Sequence, residues 1–173
     1  MATNVEIKAK VKDMKRLKET VERLSDTPGV VLNQEDTFFH TPHGRLKLRC
    51  LAPDHGQLIF YLRADSYGPK RSDYCISTTS EPDKLKEVLA TAWGVVGVVR
   101  KQRLLYKVGN TRIHLDEVDG LGQFVELEVV LAAEESTEHG QAIAKDLMSK
   151  LGIGKEDLLN KAYIDMLEHR TNF

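Results

Sequence analysis

The sequence predicts an α+β fold in which about eight antiparallel strands, with helices between and after them, form a sheet able to curl into a barrel. Three observations point there. Short runs of strict apolar–polar alternation recur along the chain, Gly-containing turns join neighbouring runs as antiparallel hairpins require, and the charged residues of those runs collect on one face. The length of 173 residues suits a single domain spanning 1–173, since domains usually hold roughly 100–200 residues.

The elements follow in order. "NVEIKAKV" alternates Val5, Ile7, Ala9 and Val11 with Glu6, Lys8 and Lys10, a strand pattern. Asp13 caps a helix to about Ser25, with Leu17, Val21 and Leu24 at helical spacing, and "TPG" ends it. "VVLNQEDTFFHT" is the second strand, and the turn signal "PHG" leads to a third, "RLKLRCL". "DHG" precedes a fourth strand, "QLIFYLRA", and "SYGPK" a weaker fifth around "SDYCIST". Ser80 with Asp83 resembles a capping box, with Pro82 in the first turn, so Glu81 to Trp93 reads as a helix. Strand signals return in "VVGVVRKQRLLYKV", then "TRIHLDEV" after Gly109-Asn110, then "QFVELEVVL" after "DGLG". A helix from about Thr137 to Leu151 stops at Gly152, and "KEDLLNKAYIDMLEH" reads as one further helical piece.

Aligning the alternation places Val5, Ile7, Leu46, Leu48, Leu58, Phe60, Leu62, Ile113, Leu115, Val125, Leu127 and Val129 on one face, expected to be buried under helices. The opposite face carries nine bases and four acids, a local excess of five positive charges on a chain whose total is −1. A single strand of this kind reads as a solvated surface. Six such strands, with acids mainly on the first and last and bases in the middle, read as a barrel interior that takes a charged guest. Alternate lysines and arginines offer many donors to a polyanion, and the guanidinium fork matches phosphate oxygens. Glu126 and Glu128, beside such a site, make sense as ligands of a cation that bridges to phosphate, with Glu6 close by.

The near-neutral charge excludes a global basic field, and the bases lack an interleaved aromatic row, so nucleic acid is not the expected partner. No apolar run approaches the roughly 20 residues of a membrane span, and no signal-peptide pattern occurs. With two cysteines, Cys50 and Cys75, the expectation is a reduced cytoplasmic protein, monomeric or homodimeric.

These motifs resemble, in order, those of the CYTH superfamily, the triphosphate tunnel metalloenzymes: "NVEIKAKV" the ExExK signature, "QEDTFF" the second-strand motif, "GRLKLR" the basic strand, "VVRKQR" the KxR strand, "RIHLDEVDGLGQFVELEV" the most distinctive block and "AYIDML" the closing helix. The resemblance implies an eight-stranded antiparallel tunnel that binds a triphosphate. It implies Glu6, Glu126 and Glu128 as ligands of Mg²⁺ or Mn²⁺, Asp116 near the metal, and Lys8, Lys10, Lys47, Arg49, Arg63, Lys101 and Arg103 as phosphate-binding residues. Asn4 stands where the signature has its first acid.

The activity expected on this basis is hydrolysis of inorganic or organic triphosphate, such as tripolyphosphate, thiamine triphosphate or a nucleoside triphosphate. The alternatives are a class IV adenylate cyclase, or a polyphosphate- or nucleotide-binding module without turnover. Lys8 or Lys101 is the candidate base, because clustered cations depress a lysine's pKa, and Tyr61 competes with them. His114 lies on the charged face, where a phosphate contact and a structural hydrogen bond both remain open. His40 and His43 read as turn-surface residues, and Cys50 as packed.

Overall fold

The computed structural model describes residues 1–171. The strands are β1 (Ala2–Lys10), β2 (Val30–Phe39), β3 (Arg45–Ala52), β4 (His55–Arg63), β5 (Lys70–Thr79), β6 (Val95–Val108), β7 (Thr111–Val118), β8 (Gly122–Val130) and β9 (Leu158–Leu159). The helices are α1 (Met14–Leu24), α2 (Pro82–Trp93), α3 (Thr137–Leu151) and α4 (Tyr163–Thr171). Round the barrel the order is β1, β5, β4, β3, β2, β6, β7, β8 and back to β1, every neighbour antiparallel. The predicted eight-stranded barrel is thus present and closed. The ninth strand, β9, takes the stretch of the β1 edge that β5 leaves open, pairing Lys8 with Leu159 and Ala9 with Leu158.

Local chemistry explains the helix ends. The Asp13 carboxylate accepts from the Arg16 N–H at 3.1 Å and starts α1. Ser136 does the same for α3 through His139, and Gly152, at φ 68°, closes that helix in the left-handed conformation that glycine adopts without steric cost. Two expectations need correction. The Ser80 capping box does not form: Glu81 is the N-cap of α2 and makes no side-chain cap, while its own N–H donates to Thr79 Oγ1. The single C-terminal helical piece is instead a 3₁₀ turn at Lys155–Asp157, then β9, then α4. Pairing along β1 and burial of Leu158 hold the chain extended there, against its helical periodicity.

The main apolar core lies outside the barrel. Ile7, Ala9, Ile113, Leu115, Val125 and Leu127 meet Leu17 and Val21 of α1 and Leu147, Met148 and Leu151 of α3. Each fully buried aliphatic side chain contributes about 1.5–3 kcal/mol. Gly140 lets α3 approach: a Cβ there would stand 2.7 Å from Val5 Cγ2. On the β3–β4 side, cover is thinner than expected. Leu48 is buried, but α2 leaves Leu46, Leu58 and Phe60 half-buried and Leu62 40% exposed. No helix among the described residues is long and apolar enough to cross a membrane.

Candidate functional site: a charged tunnel

Inward-facing residues of all eight barrel strands enclose a cavity of about 310 Å³. Its lining includes seven basic side chains, Lys8, Lys47, Arg49, Arg63, Lys101, Arg103 and Arg112, and four acidic ones, Glu6, Asp36, Glu126 and Glu128. Six of the seven bases expected to bind phosphate are among them. Lys10 is not: it lies exposed at the end of β1, opposite Phe124, whose ring packs against Tyr163 at 5.1 Å and fills the barrel at that level.

Tyr163 belongs to the plug at one end. It clusters with Phe38, Val99, Val118, Phe124 and Ile164. The Lys8 ammonium sits 3.8 Å above its ring and donates to the Lys161 carbonyl, so the C-terminal segment is tied into the tunnel floor. Arg45, from the charged face, holds Asp165 of α4 at 2.6 Å. On the far side of the bases from this plug, Leu32, Leu51, Ile76 and Leu105 line the cavity, and Ile76 is 46% exposed.

Every acid is engaged with a base. Asp36, 1% exposed, accepts from Arg49 through both oxygens at 2.9 Å and also meets Lys101 at 3.0 Å and Lys47 at 3.2 Å. Arg63 bonds Glu6 at 2.6 Å. Arg103 forks onto Asp116 at 2.7 and 2.8 Å and reaches Glu126 at 2.9 Å, while the Tyr163 hydroxyl donates to Asp116 at 2.8 Å. Arg112 pairs with Glu128 at 3.0 Å. Asp116 is fully buried beneath the lining, so it acts on the cavity through Arg103.

Burial and crowding shift the titrations. Desolvation, with Arg49, Arg103 and Lys47 nearby, brings Lys101 down to about 7 despite Asp36. Desolvation also lowers Lys8 to about 8, against the pull of Glu126. Burial raises Tyr61 to about 12. Burial raises the Glu6 carboxyl despite Arg63, whereas Arg103 and Lys8 outweigh burial at Glu126 and hold it well below the usual range.

Of the four expected cation ligands, Glu126 and Glu128 come together, and His114 joins them: one donor atom from each lies within 4.8 Å of the others. The Asn4 Oδ1, buried in the same cavity, has no hydrogen-bond partner. Two carboxylates and an imidazole are a donor set that fits a divalent cation. Sequence reasoning missed Asp36 and Tyr163. Asp36 is in phase with Gln34, but both faces of β2 mix polar and apolar residues, so alternation does not single out the inward one, and Tyr163 reaches the tunnel from a helix that carries no strand periodicity.

Known proteins share this architecture. The chain is 28% identical over 153 residues to adenylate cyclase CyaB of Aeromonas hydrophila, covering 82% of this chain and 77% of that protein. The PH1012 protein of Pyrococcus horikoshii superposes with a TM-score of 0.82 at 25% identity, covering 94% of this chain and 98% of the other. HpAC1 from Hippeastrum, in which a dominant triphosphatase activity is recorded, superposes with a TM-score of 0.68 at 15% identity over 99% and 96% of the two chains and shares the fold. Residues 2–163 match the CYTH domain, and the chain belongs to that family.

Proposed function

We propose that this protein hydrolyses an inorganic or organic triphosphate, tripolyphosphate, thiamine triphosphate or a nucleoside triphosphate, with Mg²⁺ or Mn²⁺ as cofactor. CYTH enzymes are metal-dependent and act on triphosphates. The observation that carries the reading is the tunnel lining: seven bases against four acids, with Glu126 and Glu128 side by side on one wall. Phosphoryl transfer is served chiefly by positioning and charge stabilisation, and both are built into such a wall.

Lys47 and Arg49 on β3 and Lys101 and Arg103 on β6, the two strands that flank β2, hold the phosphate chain, and Arg63 and Arg112 extend the basic track along the tunnel. Glu126 and Glu128 hold the divalent cation, which supplies charge neutralisation at the phosphate oxygens. Lys101, brought down to about 7 by burial, is the chain's own candidate base, a role open to it only where the cation, not the amine, neutralises the phosphate, so that the amine stays uncharged and accepts a proton from the attacking water. Lys8, at about 8, is the second candidate and sits 3.6 Å from Glu126. The apolar residues Leu32, Leu51, Ile76 and Leu105 suit the organic end of a substrate.

Adenylate cyclase is the second reading, favoured by the resemblance to CyaB. There the ribose 3′-hydroxyl of ATP attacks the α-phosphate and pyrophosphate leaves. Phosphorus NMR separates the readings: protein with Mg²⁺ or Mn²⁺ is incubated with inorganic triphosphate, thiamine triphosphate or ATP, each repeated with Glu126→Gln. Orthophosphate plus the matching diphosphate, lost in the variant, is the expected result. Cyclic AMP with pyrophosphate establishes the cyclase. Unchanged substrates whose resonances broaden on binding establish a receptor without turnover and overturn the hydrolytic assignment.

A further inference from the structure

Asp116, one of the acids expected at the metal, is the most fully committed elsewhere, while Glu6, like Glu126 and Glu128, holds one guanidinium. Glu6 holds Arg63 at 2.6 Å. Both oxygens of Asp116 accept from Arg103, and one also accepts from the Tyr163 hydroxyl. A carboxylate that already satisfies a guanidinium fork and a phenol has little left to offer a cation.

His114 stands differently. Its side chain is 5% exposed, it lines the tunnel, and its side-chain contact among the described residues, Nδ1 to Glu126 Oε2, is 3.5 Å, at the outer limit of a hydrogen bond. In register it lies directly opposite Glu126, while Glu128 lies opposite Arg112 one inward position along. Ligands about 2.0–2.2 Å from a common ion stand up to about 4.4 Å apart across it. The ligand atoms of His114, Glu126 and Glu128 lie within 4.8 Å of one another, so small side-chain rotations bring them to a common ion.

An independent observation lies on the neighbouring strand. Glu6 is paired with Glu128 across β1 and β8, and Asn4, the next inward residue on β1, is 4% exposed with Oδ1 unpartnered. A buried carbonyl oxygen left unpaired is unfavourable, and a cation or its bound water at this wall would satisfy it.

Resting on the reading that the tunnel holds a divalent cation, we infer that His114 is a ligand of that cation beside Glu126 and Glu128, and that the site prefers a nitrogen-accepting metal such as Mn²⁺ over Mg²⁺. Imidazole suits the first-row transition metals, whereas Mg²⁺ favours oxygen donors and gives up its water reluctantly. Asp116 is then a positioning residue that acts through Arg103.

The test is electron spin echo envelope modulation of Mn²⁺ added alone, substoichiometrically, to the full chain. ¹⁴N modulation from a coordinated imidazole is expected in the wild type and in Asp116→Asn, and is lost in His114→Gln. In titrations, His114→Gln weakens Mn²⁺ at least about tenfold and Mg²⁺ less than about threefold. Bound Mn²⁺ without ¹⁴N modulation in the wild type overturns the inference, as does modulation that survives in His114→Gln. Triphosphate hydrolysis by that same protein leaves the proposed function standing on an all-oxygen site. If the wild type neither binds Mn²⁺ nor hydrolyses triphosphate, both fall.

Discussion

Lysines brought down by burial must regain protons when a polyanion arrives, and the tunnel allows the number to be worked out. With Lys101 at about 7 and Lys8 at about 8, roughly one-tenth of the first and half of the second are protonated at pH 8. A triphosphate without its cation, lying along these groups, favours their charged forms. Complete protonation then draws in about 0.9 proton at Lys101 and about 0.5 at Lys8. At pH 6 both are already charged and the combined uptake falls to about 0.1. The assay is titration calorimetry with inorganic triphosphate, without added metal, in buffers of different ionisation enthalpy. The triphosphate's own titration cancels in a comparison of wild type with Lys101→Arg, whose guanidinium is charged throughout. Wild type is expected to take up about 0.9 proton more than the variant at pH 8, and nearly the same number at pH 6. Equal uptake at pH 8 would show that Lys101 is already an ammonium in the free tunnel, and its role as a base would fall with that result.

Two further predictions follow from the same contacts. Asp36→Asn leaves Lys47, Arg49 and Lys101 facing one another without their shared acid, so the free protein is expected to lose about 3–5 kcal/mol in urea unfolding. Triphosphate should restore more stability to this variant than to wild type, and equal shifts would refute the account. Because Asp36 is held well below its unfolded value near 3.9, its contribution is complete above that pH and is lost as pH falls further. Tyr163→Phe removes the hydroxyl donated to Asp116 but keeps the ring under Lys8, so a loss of about 0.5–1.5 kcal/mol is expected by the same method. A loss of several kcal/mol would mean that Arg103 alone does not hold Asp116.

Strand periodicity made much of the barrel legible, because strands such as β1, β7 and β8 have an apolar outer face and a polar inner face, and a period of two records both. The ends of α1 and α3 were legible for a similar reason: Asp13 and Gly152 act within one turn of chain. What failed depended on distant partners. Ser80 has the composition of a cap but not the geometry, and residues 155–162 carry helical spacing that β1 overrides by pairing with Leu158 and Leu159. The same division runs through the site. Lys47, Arg49, Lys101 and Arg103 could be placed from alternation alone, whereas Lys10 follows the alternation and still misses the cavity, because Phe124 and Tyr163 fill its end of the barrel. Which acid is taken up by a guanidinium is not a property of spacing either: Asp116 follows the alternation and is held by Arg103.

The charged interior also explains why the barrel keeps its apolar core on the outside. Buried ions rarely stabilise a fold, since desolvation offsets most of their attraction, so the burden falls on the layer between the strands and helices α1 and α3. Inside, the acids stand in for phosphate by holding the bases in place: Asp36 for Lys47, Arg49 and Lys101, and Glu6 for Arg63. The substitution is incomplete. Among the described residues, the buried side-chain atoms without a hydrogen-bond partner are Asn4 Oδ1, Gln34 Oε1 and Arg63 Nε, and all three residues line the tunnel. Each costs about 1–3 kcal/mol while unpaired. One is a charged donor suited to a phosphate oxygen, and two are acceptors suited to a cation's water or a ligand's hydroxyl. The free tunnel therefore holds its bases in position at the expense of unmet hydrogen bonds, and a hydrated cation–phosphate complex has the complementary chemistry to satisfy both kinds.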